Sequence, residues 1–372
     1  MLVLAMGSVA CGGGGGPLTG MPAPTSSVQA TQPSTSLSNP RPCVPAPLET
    51  RAATVLAVGI NAATTAETPL VATVAALGVG GVILLGPNIV DAAQTRALIA
   101  GLRQRSPRRL LIAVDEEGGR VSRLRPIVGS TPSARTLGRR ALPDIVTVAA
   151  ERGSVLRDLG FDLVLAPVVD ADGGPAGGAI GDRAFAATPA EAGPRAAAFA
   201  EGVRRVGVAA TAKHFPGQGG LADSHDGQVV SNVPMANVRA AATAGFGPVF
   251  DAGVAAVMMS HVTYRALGPL PASMEPAAYR LLRSLGFAGV AITDAVGMEA
   301  IVEAWSLPEA TVSALNAGAD LVLATPGDKA AAMRDGVVAA VADGRLPESR
   351  LDEEVGRVLR LRGEDPATMV CR

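Results

Sequence analysis

The sequence predicts an α/β fold, a single (β/α)8 TIM barrel, and three observations carry that reading. Eight short β-branched apolar runs recur along the chain, longer amphipathic stretches separate them, and unusual polar residues stand where the runs end. An open, doubly wound sheet is the alternative architecture for the same alternation.

The runs are Thr54–Ile60, Gly81–Leu85, Leu110–Val114, Leu163–Ala166, Val208–Ala212, Ala255–Met259, Val290–Thr293 and Asp320–Leu323. Each is too short for a helix and lacks strict polar alternation, as expected of parallel strands covered on both faces. Between them lie helical stretches such as Asp91–Gln104, Pro143–Leu159, Pro189–Val206 and Asn237–Ala252. Several open on Asp, Pro or Asn and close near Gly, the residue types that start and stop helices. In a parallel barrel the reactive side chains gather past the C-terminal ends of the strands. Asn61, Asp115, Asp170, Lys213 with His214, His261 and Asp294 follow runs one, three, four, five, six and seven in that way.

The N-terminus has a different composition. Residues 1–10 are apolar and end in Ser8-Val9-Ala10-Cys11, like the tail of a lipoprotein signal peptide, with Cys11 as the lipidated residue. Residues 11–48, rich in Gly, Pro, Ser and Thr, cannot bury a core and are expected to act as a tether. The catalytic domain is expected over residues 49–372. Export makes a Cys43–Cys371 disulfide the expected state of the remaining cysteines, clasping the ends of the domain; two free thiols are the alternative. The expected location is therefore outside the cell membrane, anchored by lipid or secreted.

Composition narrows the function. Lys and Arg number 32 against 33 Asp and Glu, and no basic stripe is interleaved with aromatics, so nucleic acid is not an expected partner. No apolar run after the N-terminus is long enough to span a bilayer, which leaves a lipid as the expected membrane contact. The densest chemistry is Lys213-His214-Phe215-Pro216-Gly217-Gln218-Gly219-Gly220-Leu221-Ala222-Asp223-Ser224-His225-Asp226, with two of the three histidines. Asp223 stands two residues before His225, a spacing that lets a carboxylate fix an imidazole tautomer and raise its basicity. Asp294, in Ala291-Ile292-Thr293-Asp294-Ala295-Val296-Gly297-Met298, supplies a carboxylate after a buried strand, as a nucleophile or as a helix cap. The histidines lack His-x-His or His-Glu-x-x-His spacing, so no metal and no cofactor are expected.

These motifs, with Asp115-Glu116-Glu117-Gly118-Gly119-Arg120-Val121 and Ile180-Gly181-Asp182-Arg183-Ala184-Phe185, resemble glycoside hydrolase family 3 in its β-N-acetylhexosaminidase branch, over about Arg51 to Arg362. The Asp-Ser-His element marks the branch. The resemblance implies that Asp294 is the nucleophile, His225 the general acid and then base, and Asp223 its dyad partner. It further implies sugar contacts from Asp115, Arg120, Arg183, Lys213, His214, His261 and Met298. Gln218 and Ala295 depart from the family pattern, which commonly has His or Asp at the first position and an acidic residue at the second. The chain ends soon after the eighth helix, so the extra α/β domain of many relatives is expected to be absent.

One Trp and two Tyr offer little for gripping long polysaccharides, which favours an exo-acting enzyme. The resemblance points to hydrolysis of nonreducing-terminal GlcNAc from GlcNAc-MurNAc muropeptides by a monomer. A phosphorylase of the same family, a metal-dependent hydrolase and a non-catalytic envelope-binding protein are the alternatives.

Overall fold

Eight buried runs pair edge to edge, all parallel: β1 (Leu56–Gly59), β2 (Gly81–Leu84), β3 (Leu111–Val114), β4 (Leu163–Val164), β5 (Ala209–Phe215), β6 (Ala256–Met259), β7 (Val290–Thr293) and β8 (Val322–Ala324). The computed structural model describes residues 44–224 and 226–371, together with Gly16. Cys11, Cys43 and His225, three of the residues singled out above, lie outside the described residues.

The ladder runs in chain order from β1 to β7, and β8 pairs with β1. Around the remaining gap Ile292 bridges Leu321, and Val296 N donates to Leu323 O at 2.9 Å, so β7 meets β8 and the barrel is nearly closed. Side-chain alternation then divides the apolar residues into two layers. Ala57, Ile83, Leu111, Leu163, Met258, Ile292 and Leu323 fill the barrel interior. Their neighbours Leu56, Val82, Leu84, Ile112, Val114 and Val257 face outward and pack under the helices.

Those helices are α1 (Pro69–Leu77), α2 (Ala92–Arg105), α3 (Leu142–Leu159), α4 (Pro189–Arg205), α5 (Met235–Asp251), α6 (Pro276–Ser284), α7 (Leu307–Ala317) and α8 (Ala330–Ala342). Asp91 caps α2 by accepting Gln94 N at 2.8 Å. A further helix, Glu348–Leu361, returns under the barrel, where buried Arg51 binds Glu348 and Asp352 at 2.5 and 2.6 Å. Ala46 N donates to Met369 O at 3.0 Å, which brings the two ends of the described chain together.

Two strands depart from expectation, both beside the site. β4 stops at Val164 rather than Ala166, because Pro167 has no N–H to continue the ladder. β5 runs on to Phe215, so Lys213 and His214 lie inside the strand instead of after it. Backbone bonds from Val169 N to Lys213 O (2.6 Å) and from Ser260 N to Phe215 O (2.9 Å) keep this stretch extended.

Candidate active site

A ribbon after β3 builds one wall of the site. Glu116–Gly118 pairs antiparallel with Val121–Ser122, held by the buried Glu116 carboxylate, which accepts Ser122 Oγ at 2.7 Å and Leu124 N at 2.9 Å. Burial raises the Glu116 carboxyl above its ordinary range. The turn needs glycine. Gly118 has φ +92°, and a Cβ there would strike the Arg152 guanidinium, which donates to Glu117 O at 2.9 Å.

Glu117 is the hub of a buried charge cluster. Its carboxylate takes both forks of Arg183, at 2.7 and 2.8 Å, and Lys213 Nζ at 2.6 Å. Lys213 Nζ also reaches Asp115 Oδ1 at 2.5 Å. Burial works to raise the Glu117 carboxyl, but Lys213 and Arg183 outweigh it and hold the group well below the carboxylate range. Burial lowers the Lys213 ammonium, and Asp115 with Glu117 reverses that, leaving it above its ordinary value. Glu117, Lys213 and Arg183 are therefore all ionised at neutral pH, with the donors fixed at the barrel mouth.

His214 is oriented by a residue that spacing alone gave no role. Asp170, buried after β4, accepts His214 N at 3.0 Å and lies 2.6 Å from His214 Nδ1. A carboxylate at that distance accepts a hydrogen bond from Nδ1–H, which leaves Nε2 turned toward Asp294 Oδ2, 3.9 Å away. Asp170 Oδ1 also accepts Gln218 N at 2.5 Å, so the same carboxylate fixes the start of the loop after β5.

Asp294 follows β7 and accepts Ala295 N at 2.8 Å through Oδ1. Burial tends to raise its carboxyl, but His214 and His261 together, helped by Ala295 N and Lys213, hold it below the ordinary carboxylate value. His261 sits behind it. Nε2 is 3.0 Å from Ala295 O, an atom that only accepts, so Nε2 carries the proton and Nδ1 faces Ser273 Oγ at 2.7 Å.

The cavity at this mouth has a volume of about 240 Å³. Asp115, Arg183, Lys213, His214, Asp294 and Met298 line it, six of the residues expected to meet substrate. Arg120 goes elsewhere: it donates to the carbonyls of Gly178, Ala179 and Ile180 and binds Asp182 at 2.9 Å, tying the loop after β4 to the ribbon. In its place Arg123 lines the cavity, 3.6 Å from Asp115 Oδ2. The signal for Arg123 was ribbon geometry: Arg120 and Arg123 flank the short strand Val121–Ser122.

The loop carrying Asp223 is fixed at its base. Tyr264 OH donates to Gly217 O at 2.5 Å, and a Cβ on Gly219 would strike the Ala171 carbonyl. At its far end the chain joins Val230–Ser231, paired in parallel with Thr263–Tyr264. Asp226 N donates to Asp223 O at 3.2 Å.

An ionised carboxylate and fixed cationic groups line this mouth, and comparison with known proteins gives the chain a lineage. The model of the glycosyl hydrolase family 3 N-terminal domain matches residues 48–361. The chain belongs to glycosyl hydrolase family 3. Within that family it is 36% identical to β-hexosaminidase LpqI of Mycobacterium tuberculosis, over 96% of this chain and 95% of the relative. The solved structure of M. tuberculosis LpqI superposes with a TM-score of 0.79 at 34% identity, over 88% of this chain and 99% of that one. A family 3 β-N-acetylglucosaminidase from Paenibacillus sp. FPU-7 gives a TM-score of 0.80 at 31% identity, covering 88% of this chain and 64% of the other.

Proposed function

We propose that this family 3 hydrolase is an exo-acting, retaining β-N-acetylglucosaminidase that removes nonreducing-terminal GlcNAc from peptidoglycan fragments of the GlcNAc-MurNAc type. The observation that carries the reading is Asp294, an ionised carboxylate in a small cavity whose other charged groups are already paired. At about 240 Å³ the cavity is below the range of about 300–1,000 Å³ usual for drug-sized ligands, which suits one sugar ring better than a chain.

In the proposed reaction Asp294 attacks the anomeric carbon and the bond to the aglycone oxygen breaks. His225 delivers its proton to that oxygen, and a covalent glycosyl-enzyme forms. His225 then takes a proton from water, the water oxygen bonds to the anomeric carbon, and Asp294 leaves as carboxylate. Asp223 holds the His225 imidazole. Asp115, Arg123, Arg183, Lys213 and His214 bind the sugar hydroxyls. The named relatives support the β-hexosaminidase chemistry, and the lipoprotein-like N-terminus supports an envelope substrate. The protein is accordingly placed outside the membrane, held by lipid on Cys11, with a Cys43–Cys371 disulfide and no partner subunit.

The test is hydrolysis of aryl β-GlcNAc against aryl β-glucose, with and without added phosphate. The expected result is a strong preference for the GlcNAc substrate at a rate independent of phosphate. Preference for glucose would overturn the branch, and phosphate dependence would make the enzyme a phosphorylase.

A further inference from the structure

At the opposite end of the barrel, Asp320 precedes β8 with no exposure to solvent. Its Oδ2 accepts Ala291 N at 2.8 Å and Arg283 at 2.7 Å, and its Oδ1 accepts Arg357 at 2.9 Å. Arg350 stands 3.9 Å away and is shared with Glu353 and Glu354 at 3.4 and 2.9 Å. The buried Asp320 carboxylate thus faces three guanidiniums, one of which is also paired with Glu353 and Glu354. A fourth, Arg280, makes no hydrogen bond or ion pair among the described residues.

All four arginines line one cavity of about 450 Å³ between α6, the end of α7 and the helix Glu348–Leu361. Arg283, Arg350 and Arg357 have 28, 23 and 26% of their side chains exposed. Arg350 is held by the Leu315 and Ala319 carbonyls as well as by Glu353 and Glu354, whereas Arg357, among the described residues, anchors only Nη1, on Asp320. Arg283 is held further by the Phe287 and Gly289 carbonyls and stacks on the Phe287 ring at 5.5 Å. Burial lowers the Arg283 guanidinium and Asp320 raises it, while Arg357 and Arg350 push it down again, as expected where positive charge is in excess. Burial raises the Glu354 carboxyl above its ordinary range, against the pull of Arg350 beside it.

We propose that this arginine-lined cavity binds a phosphate-type dianion. Planar, pre-oriented guanidiniums match tetrahedral oxyanions through paired N–H donors, and the floor carboxylate fixes those planes without filling the cavity. The site lies at the N-terminal ends of the strands, away from Asp294 at the C-terminal ends, and its occupancy is independent of glycoside chemistry. The source of the phosphate is either a free ion or a phospholipid headgroup.

The experiment titrates inorganic phosphate into the full chain at fixed ionic strength and follows the heat. Saturable binding is expected. Arg280→Gln with Arg357→Gln weakens it at least about 10-fold, the cost of a charge-assisted hydrogen bond, with hydrolysis unchanged. The exposed Arg280→Gln alone covers the case in which the double variant fails to fold, and it should weaken binding as well. Arg123→Gln, in the cavity beside Asp294, should bind phosphate normally. No heat, equal binding by the Arg280 variants, or loss only in Arg123→Gln would each overturn the proposal. Flotation of the Cys11→Ser chain with phosphatidylglycerol but not phosphatidylcholine vesicles, competed by phosphate, identifies the headgroup as source. Phosphate heat without flotation identifies the free ion, and flotation without phosphate heat overturns the site.

Discussion

His214 Nε2 stands 3.9 Å from Asp294 Oδ2, while Nδ1 of the same ring is 2.6 Å from Asp170. The imidazole is thus a spacer between two carboxylates, one of which sets its tautomer and the other of which gains a polarised neighbour. Asp170→Asn offers the ring an amide in place of a carboxylate and weakens the lock on Nδ1–H. The expected loss is that of a hydrogen bond to a charged group, about 1.5–3 kcal/mol, or roughly 10- to 150-fold in kcat/KM. Steady-state kinetics with aryl β-GlcNAc measure it. A parallel loss with Asp170→Ala that is no larger would show that charge, rather than mere occupancy of the position, matters.

The proposed division of labour between Asp294 and His225 separates by leaving group. Asp294→Ala should fall to background with every aryl β-GlcNAc, because among the described residues no other carboxylate lines the cavity except Asp115, which is engaged by Lys213. His225→Ala should lose about 10²- to 10⁴-fold with poor leaving groups and far less with acidic phenols, which need little protonation. Equal losses across the series would remove the acid role from His225.

Much of this was legible because the barrel imposes one period on the sequence. Each strand is a buried apolar run that ends near the mouth, so Asp115 and Asp294 stand out by position, and Lys213 and His214 by the density of polar residues around them. Glu117 was harder to read, since in Asp115-Glu116-Glu117 the neighbouring carboxylates take opposite directions: Glu116 turns back to Ser122 and Leu124, and Glu117 turns to Lys213 and Arg183. Only the ribbon's side-chain alternation separates them. Asp170 was visible as a strand-end residue, but its partner is 44 positions away, a distance no local pattern reports.

Arg120 and Arg123 make a paired test of that alternation. Arg123→Gln should cost about 10- to 150-fold in kcat/KM, largely through KM, with thermal stability little changed. Arg120 instead holds three carbonyls and Asp182 together, so Arg120→Gln should lower stability by about 1–2 kcal/mol and loosen the loop that carries Arg183. Denaturant unfolding and kinetics on both variants measure the contrast. An exchange of these two phenotypes would place Arg120 in the sugar site.

The ends of the domain give a covalent prediction. Ala46 N bonds to Met369 O, so the described segments next to Cys43 and Cys371 meet at the same edge of the barrel, where the proposed disulfide would join them. Reduction of the mature protein should add the mass of two hydrogens and lower its melting temperature, and Cys371→Ser should lower it equally. An intact mass unchanged by reduction would leave both thiols free.

The cluster around Glu117 predicts a pH profile of stability. Glu117 is held below its ordinary 4.5, so its contribution is complete above that value and is lost as pH falls. Lys213 is held above its ordinary 10.5, so its contribution is complete below that value and is lost as pH rises through the folded-state value. Between roughly pH 5 and 10 the two terms are constant, and the plateau belongs to the ionised cluster. Glu117→Gln breaks it by leaving Arg183 with no carboxylate at hydrogen-bond distance and Lys213 with Asp115 alone. Removing one partner of a buried ion pair costs about 3–5 kcal/mol, and the retained Lys213–Asp115 contact puts the expected loss near the lower end. Urea unfolding of wild type and Glu117→Gln across pH 3 to 9 should show a constant gap near neutrality that narrows below about pH 4.5. A gap that stays constant into acid would mean that Glu117 contributes by packing and hydrogen-bond geometry rather than by its charge.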